Sequence, residues 1–392
     1  MKSSSKFDIV VYGATGFTGQ LVAEYLAAHY AGKSDPKWAM AGRSPEKLAS
    51  VRDAIGAPAD TALIQADGSD PASLRAMIDQ TNAVVSTVGP YQLYGSELVA
   101  ACAASGADYL DLCGEPVWMR QMIDAHEATA QSSGARIVFS CGFDSLPFEL
   151  GVFFCQETAK KTLGAPVSRV KGRVRDITAT VSGGTVASMK ASFAAAAKDL
   201  SLVALLRSPF ALTPAFEGPK QPPGNKPLFD QDLDAWTAPF VMSTINTRSV
   251  HRSNFLTDFP YGRDFVYDEM VLTGPGEKGE AEARRVAAAN LDKVGPGAPK
   301  PGEGPSKEQR ETGHYDLLFV GLAPDGRQIR VAVRGDRDPG YGSTAKMIAE
   351  CAICLRESPD VKAGIWTPGA AMGNRLIKRL VDHAGLSFEV EK

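Results

Sequence analysis

The chain has 392 residues, with 42 basic and 45 acidic side chains and a formal net charge of −3. That length builds two domains around a sizeable core, and the charge balance leaves no basic stripe for nucleic-acid phosphates. Six cysteines in so long a chain do not make a disulfide framework, which points to a reducing, cytoplasmic setting.

The N-terminus MKSSSKFD is polar, carries no secretory signature and leads straight into a strand, Asp8 to Tyr12. Three glycines follow at three-residue spacing, Gly13, Gly16 and Gly19, and then an apolar helical pattern at Leu21, Val22, Tyr25 and Leu26. This is the strand, glycine turn and helix of a dinucleotide-binding unit. Gly13 permits the tight turn, Gly16 lets the backbone approach a pyrophosphate, and Gly19 lets the helix pack close to the strand. Between them Ala14, Thr15, Phe17 and Thr18 form the turn and the helix start, where free N–H groups and a partial positive charge meet the phosphates.

The next strand, Trp38 to Ala41, ends in Gly42-Arg43-Ser44-Pro45, with Lys47 just beyond. An NAD-preferring site carries a carboxylate at this strand end to hold the ribose 2′-hydroxyl. Here Arg43 takes that place. Its guanidinium fork suits a 2′-phosphate, and Ser44 and Lys47 add donors, so the expected cofactor is NADP(H).

Strands and helices then alternate. Ala62 to Ala66 ends at Asp67, and Ser69-Asp70-Pro71 opens a helix through about Ile78. Asp67 is placed either to accept from the adenine amino group or to cap that helix. Ala83 to Val88 is a buried strand ending in Gly89-Pro90-Tyr91, and a helix covers Ser96 to Ser105. Tyr109 to Leu112, a helix over Val117 to Gln131, and Ile137 to Ser140 complete the series. Near-continuous apolar strands fit a parallel sheet covered on both faces. Ligands then lie beyond the carboxyl ends of the strands, at Asp67, at Val88, Gly89 and Pro90, and at Ser140-Cys141-Gly142.

After a helix over Phe148 to Leu163 the pattern changes. Arg169 to Thr180 alternates as a half-solvated antiparallel strand does. A helical pattern runs through Ser192, Ala196 and Leu200, and Glu217 to Pro227 is a proline- and glycine-rich loop. Glu277 to Lys293 is a charged helix, and Gly295 to Pro305 a connector. Tyr315 to Leu322 and Gln328 to Arg334 make a hairpin around Pro324-Asp325-Gly326. The fold class is therefore α/β, an N-terminal Rossmann-type parallel sheet (residues 1–147) followed by a mixed α+β substrate domain (residues 148–338). No run of about twenty uncharged apolar residues is present to span a bilayer. The longest apolar stretch, Leu200 to Leu212, packs inside the second domain or touches a membrane surface peripherally.

The tyrosine with a lysine four residues on, used by short-chain dehydrogenases, is missing: Tyr91, Tyr94 and Tyr341 have Gly95, Leu98 and Ala345 there. Cys141, in FSCGFDS, is the one cysteine placed as a thiolate nucleophile. None of the five histidines (His29, His126, His251, His314, His383) is related to it in sequence, so a buried, inert thiol is expected. Cys351 and Cys354 fall on one face of an apolar helix and lack the second pair that zinc needs, so they too read as core and no metal site is expected.

Taken together, VVYGATGFTGQLVAEYL, AGRSPEKL, STVGPYQLYG, DYLDLCGE, CGFDSLPFELG, GYGSTAKM and GIWTPGAAMG resemble the saccharopine dehydrogenase superfamily. Within it the chain is similar to the branch of trans-acting enoyl reductases and saccharopine dehydrogenase-like oxidoreductases. The resemblance implies an NADP-binding Rossmann domain, an α+β second domain, and a C-terminal segment (residues 339–392) returning to the first domain. It further implies hydride delivery to an acyl-type, carbonyl-conjugated small molecule, with saccharopine-like reductive amination and a non-catalytic, membrane-associated NADP-binding scaffold as alternatives. A reductase of that kind needs a proton donor. Candidates are Tyr91 and Tyr94 past the fourth strand, and Glu115 and Asp144 past the next two, with Tyr94 and Asp144 taken as the catalytic pair. Homo-oligomerisation stays open.

Overall fold

The computed structural model describes residues 5–30, 32, 35–178, 187–188, 205–289 and 303–392. The first sheet is built from β1 (Phe7–Tyr12), β2 (Trp38–Gly42), β3 (Ala62–Gln65), β4 (Thr81–Ser86), β5 (Asp108–Asp111) and β6 (Arg136–Val138). Side chains alternate across a strand. On β1, Ile9 and Val11 enter one apolar core while Val10 and Tyr12 enter the core on the opposite face. That is why these strands read as unbroken apolar runs. The helices between them are α1 (Phe17–Tyr30), α2 (Pro45–Ala54), α3 (Pro71–Ile78), α4 (Tyr91–Tyr94), α5 (Ser96–Ser105) and α6 (Pro116–Ser133). Ser44 and Asp70 cap α2 and α3, each followed by proline in the first turn.

Helix α7 (Leu146–Leu163) leads out of β6 to the second domain. There follow β7 (Arg169–Ile177), β8 (Leu228–Asp230), β9 (Ala235–Pro239), α8 (Ser243–Leu256), β10 (Val266–Gly274) and α9 (Gly276–Ala289). Next come the short α10 (Lys307–Thr312), the hairpin β11 (Tyr315–Leu322) and β12 (Gln328–Gly335), and α11 (Thr344–Arg356). The chain closes with β13 (Gly364–Trp366), α12 (Pro368–Arg379) and β14 (Leu386–Glu391).

All pairings in the first sheet are parallel, in the order β13-β6-β5-β4-β1-β2-β3. The second sheet runs β14-β12-β11-β7-β10-β9-β8 and is antiparallel except where β7 meets β10. The C-terminal stretch thus contributes to both sheets, β13 beside β6 and β14 beside β12. The first strand pair of the sheet reads as expected, whereas the fourth strand closes at Ser86 and leaves 87–90 as a loop.

The inner face of the second sheet lies on α7. Gly151 faces Phe319 so closely that a Cβ would overlap its ring. One contiguous apolar core runs from Val11 and Leu26 through Phe148 and Leu150 to Phe319 and Val331, so the two sheets share an interior. In the apolar stretch before residue 213, Phe210, Ala211 and Leu212 are buried, and Arg252 Nη1 donates to the Leu212 carbonyl at 2.7 Å. Residues 200–204, the helical pattern through Ser192, Ala196 and Leu200, and residues 295–302 of the connector lie outside the described residues. No helix among the described residues is long and apolar enough to cross a membrane.

Candidate active site

The carboxyl ends of the parallel strands build one continuous edge, and the glycine turn opens it. Gly13 has φ +89°, and a Cβ there would lie 2.6 Å from Val88 Cγ2 and 2.8 Å from Thr87 Oγ1. A Cβ at Gly19 would overlap the Gly13 carbonyl oxygen, so α1 packs directly on the turn. The Gly13 and Ala14 amides donate to the Ala41 carbonyl at 3.0 and 3.1 Å, and Gly16 donates back to Gly13 at 2.9 Å. Gln20 Nε2 donates to the Thr15 carbonyl at 3.0 Å. Thr87 Oγ1 donates to the Tyr12 carbonyl at 3.1 Å and ties the first turn to the fourth strand. With the turn so fixed, the amides of Thr15, Phe17 and Thr18 have no acceptor among the described residues. A cradle that excludes side chains and presents free N–H groups at a helix start fits a dinucleotide diphosphate.

At the end of β2, Arg43 is exposed and makes no ion pair among the described residues. The Ser44 hydroxyl accepts from the Lys47 amide at 3.2 Å and donates to Glu46 Oε2 at 2.8 Å, which leaves Arg43 and the exposed Lys47 as the cations at this strand end. At the end of β3, Asp67 Oδ1 accepts from the Ser69 amide and hydroxyl at 2.9 and 2.8 Å. These bonds hold its carboxyl below the usual carboxylate range. The cap of α3 comes from Asp70, whose Oδ1 accepts from the Ala72 amide at 3.0 Å.

The loop after β4 holds Val88, Gly89 and Pro90, the last in a cis Gly89–Pro90 peptide, and a Cβ at Gly89 would lie 3.5 Å from Ser188 Oγ. The short helix α4 that follows stands on a buried carboxylate. Glu115 Oε1 and Oε2 accept from the Tyr91 and Gln92 amides, both at 2.9 Å. The Tyr91 hydroxyl donates to the Ser86 carbonyl at 3.1 Å and accepts from the Leu112 amide at 3.1 Å. Burial and the nearby Asp111 push its pKa well up. Tyr91 and Glu115 are thus committed to the loop. Tyr94 is 53% exposed, and its carbonyl oxygen lies 3.6 Å from a Cβ built at Gly68, beside the β3 turn.

Beyond β6, Ser140 adopts φ +63°, a left-handed conformation that favours glycine. Asp111 holds it there. Asp111 Oδ1 accepts from the Ser140 amide at 2.9 Å and the Cys113 amide at 3.0 Å, while the Ser140 hydroxyl donates to the Cys113 carbonyl at 2.6 Å. The Asp111 carboxyl is fully buried, and desolvation raises its pKa to about 7. On the far side the Phe143 amide donates to Thr344 Oγ1 at 3.0 Å, and the Phe143 ring packs on Tyr315 and Phe148. The loop so pinned presents Asp144, which is half-buried and receives no hydrogen bond from a described residue. Desolvation raises its pKa to about 6. No hydrogen bond joins Asp144 to Tyr94 among the described residues. Cys141 is fully buried, burial pushes its thiol up, and its Sγ lies 3.5 Å from the Val138 carbonyl. Cys351 and Cys354 are free, buried side chains of α11.

Sequence reasoning passed over Thr87, Asp111 and Ser188, and took Glu115 as a donor candidate rather than the anchor of α4. The signal for Glu115 was present in Glu115-Pro116, but its partners 23 and 24 residues away are set by tertiary structure.

Residues 9–138 match the family described as the saccharopine dehydrogenase NADP binding domain. A protein of Mycobacterium tuberculosis, provisionally named a trans-acting enoyl reductase, is 39% identical over 99% of this chain and 98% of its own. The trans-acting enoyl reductase of Mycobacterium ulcerans is 36% identical over 96% of each chain. Among solved structures, the saccharopine dehydrogenase (L-Glu forming) of Saccharomyces cerevisiae covers 98% of this chain and 100% of its own at a TM-score of 0.55. At 11% identity that likeness shows the fold. Full-length relatedness, the glycine cradle and the arginine at the second strand lead to one assignment: the chain belongs to the saccharopine dehydrogenase-like family that contains the trans-acting enoyl reductases, and it is an NADP-dependent oxidoreductase.

Proposed function

We propose that this oxidoreductase reduces an apolar, acyl-type substrate with a double bond conjugated to a carbonyl, and that Asp144 is its proton donor. NADPH, when bound, supplies the hydride to the β-carbon of such a substrate. In this reading Gly13, Ala14, Thr15, Gly16, Phe17 and Thr18 hold its diphosphate, Arg43 and Lys47 its 2′-phosphate, and Val88, Gly89 and Pro90 border the nicotinamide. Asp67 faces the adenine. As the π electrons move to the α-carbon, that carbon must take a proton from a positioned acid. The observation that carries the assignment is the contrast between Asp144 and its rivals: Tyr91 and Glu115 are committed to hydrogen bonds within the loop, whereas Asp144 is free of them and retains its proton up to about pH 6. β6 lies two strands from β4, roughly 10 Å at ordinary strand spacing, which leaves room for a substrate between acid and cofactor. Tyr94 sits near the β3 turn and is kept as a substrate-facing residue of secondary weight.

The character of the second domain supports an acyl rather than a multi-carboxylate substrate. Two of its sheet arginines are already engaged: Arg173 pairs with Asp230 and Asp268, both at 2.9 Å, and Arg175 with Asp316 and Glu391 at 2.6 and 2.8 Å. The relatives named for enoyl reduction support the same choice.

The test is turnover of an α,β-unsaturated acyl thioester with NADPH, followed by loss of nicotinamide absorbance. Asp144→Asn should lower kcat by about 10²–10⁴-fold, the worth of a positioned general acid, while leaving the NADPH Kd unchanged. The acid form is the donor, so wild-type kcat should fall as pH rises through about 6. Turnover of amino-acid and semialdehyde pairs in place of the thioester would assign reductive amination instead. NADPH binding without turnover of either would assign a scaffold.

A further inference from the structure

A stretch of the second domain lies across the start of α1. A Cβ at Gly304 would be 2.5 Å from Phe17 Cε1, and the Tyr341 ring meets the Phe17 ring edge-on with centroids 5.2 Å apart. The Arg310 guanidinium carbon stands 5.7 Å from the same ring centroid. Phe17 is the first residue of α1, and its own amide is among those at the helix start that have no acceptor among the described residues.

Arg310 is held there by its surroundings. A capping box between Ser306 and Gln309 sets α10, Arg310 Nη1 donates to the Pro305 carbonyl at 2.8 Å, and the Arg310 carbonyl accepts from the Asp338 amide at 3.1 Å. Gly313 closes the stretch against Asp338, where a Cβ would lie 2.5 Å from the Asp338 Cα. The Asp338 carboxylate interacts electrostatically with Arg310 but does not pair with it. Asp338 Oδ2 accepts from the Tyr341 and Gly342 amides at 2.9 and 3.0 Å, and Glu311 lies 3.9 Å from Lys307 Nζ. Among the described residues Arg310 has no ion pair. A half-buried guanidinium with no ion pair among the described residues, set over the ring of the residue that opens α1, leaves room for a second anion.

We propose that Arg310 is a cofactor-binding residue that reaches the dinucleotide diphosphate from the second domain, adding a cation to the amides of Thr15, Phe17 and Thr18. The 303–313 stretch then closes over the phosphates as a strap, and binding joins the two domains at this point. Arg43 and Arg310 divide the recognition: the first reads the 2′-phosphate that distinguishes NADPH, the second the diphosphate common to NADPH and NADH.

Calorimetric titration of the wild-type, Arg310→Ala, Arg310→Gln and Arg310→Lys proteins with NADPH, NADH, ADP-ribose and adenosine 2′-monophosphate tests this without any substrate. It therefore stands or falls independently of the acyl-reduction reading. Loss of the guanidinium should weaken NADPH, NADH and ADP-ribose alike, by about tenfold or more, the scale of a charge-assisted hydrogen bond. Adenosine 2′-monophosphate, which has no diphosphate, should bind as before, and Arg310→Lys should recover part of the loss. Arg310→Gln keeps the stem on Phe17, so it reads the charge should the alanine variant melt early. Unchanged affinities overturn the proposal, and so does a loss that extends equally to adenosine 2′-monophosphate, since that would mean the arginine only props the turn.

Discussion

Arg43 is the proposed cofactor determinant, and a single substitution can isolate it. It is exposed at the end of β2 and makes no ion pair among the described residues, so removing it costs the fold only its electrostatic influence on Tyr12 and Asp67 there. Arg43→Ala should weaken NADPH by about 1.5–3 kcal/mol through loss of a charged hydrogen bond, and leave NADH almost unchanged. Equal weakening of both cofactors in a calorimetric titration would sink the 2′-phosphate reading. Such residues are legible in sequence because the strand and the glycine turn fix where they stand. The proposed proton donor was legible only as a short list. Tyr91, Tyr94, Glu115 and Asp144 all follow strands, and choosing among them required knowing which hydroxyls and carboxylates the loops consume. Glu115 is consumed by the α4 amides and Tyr91 by the Ser86 carbonyl, facts of tertiary contact that no spacing encodes. Arg310 was invisible for the same reason, since 293 residues of chain separate it from Phe17.

At the scale of elements, the packing of α1 on β1 decides whether the cradle exists. A Cβ at Gly19 overlaps the Gly13 carbonyl, a backbone atom that cannot turn aside as a side chain would. Gly19→Ala should therefore push the helix start away from the strand, destabilise the fold by roughly 1–3 kcal/mol, and weaken NADPH and NADH together. Gly114→Ala is the comparison: nothing lies within 4 Å of its Cβ, and its melting temperature should match the wild type. Equal Tm and cofactor affinity for the two variants would show that the close approach is not what builds the site. The elements themselves were largely readable, because strands buried on both faces appear as apolar runs and proline-led caps announce α2 and α3. Short pieces escaped. The four residues of α4 are held by a remote carboxylate, and β13, three residues long, is a strand only because β6 offers it an edge.

Across the whole molecule the two sheets share one core, and that core encloses carboxyls that prefer to stay protonated. Burial raises Asp111 and Glu149 to about 7 and Glu269 to about 8. They lie at the end of β5, in the first turn of α7 and on β10, so they sample the first domain, the bridge and the second. Glu269 accepts from the Tyr267 hydroxyl at 2.7 Å and from Asn246 Nδ2 at 2.8 Å. Each of these acids has a folded pKa above its unfolded value. The folded state therefore holds protons that the unfolded chain releases, and stability is fully present below the unfolded pKa and falls as pH rises through the folded one. His251 opposes this, because burial lowers it to about 3 and folding then costs less as the unfolded imidazole loses its charge, up to an ordinary pKa of 6.5. Above that pH the carboxyls act without opposition. Stability measured by urea unfolding should decline between about pH 6.5 and 8, at up to about 1.4 kcal/mol per pH unit for each carboxyl still titrating. Glu269→Gln keeps the shape of the site and removes the group with the highest value, so it should flatten the upper end of this decline. A wild-type stability that is flat or rising over the same range would mean that the interior accommodates these carboxylates as anions, and that the shared core is less dry than its packing implies.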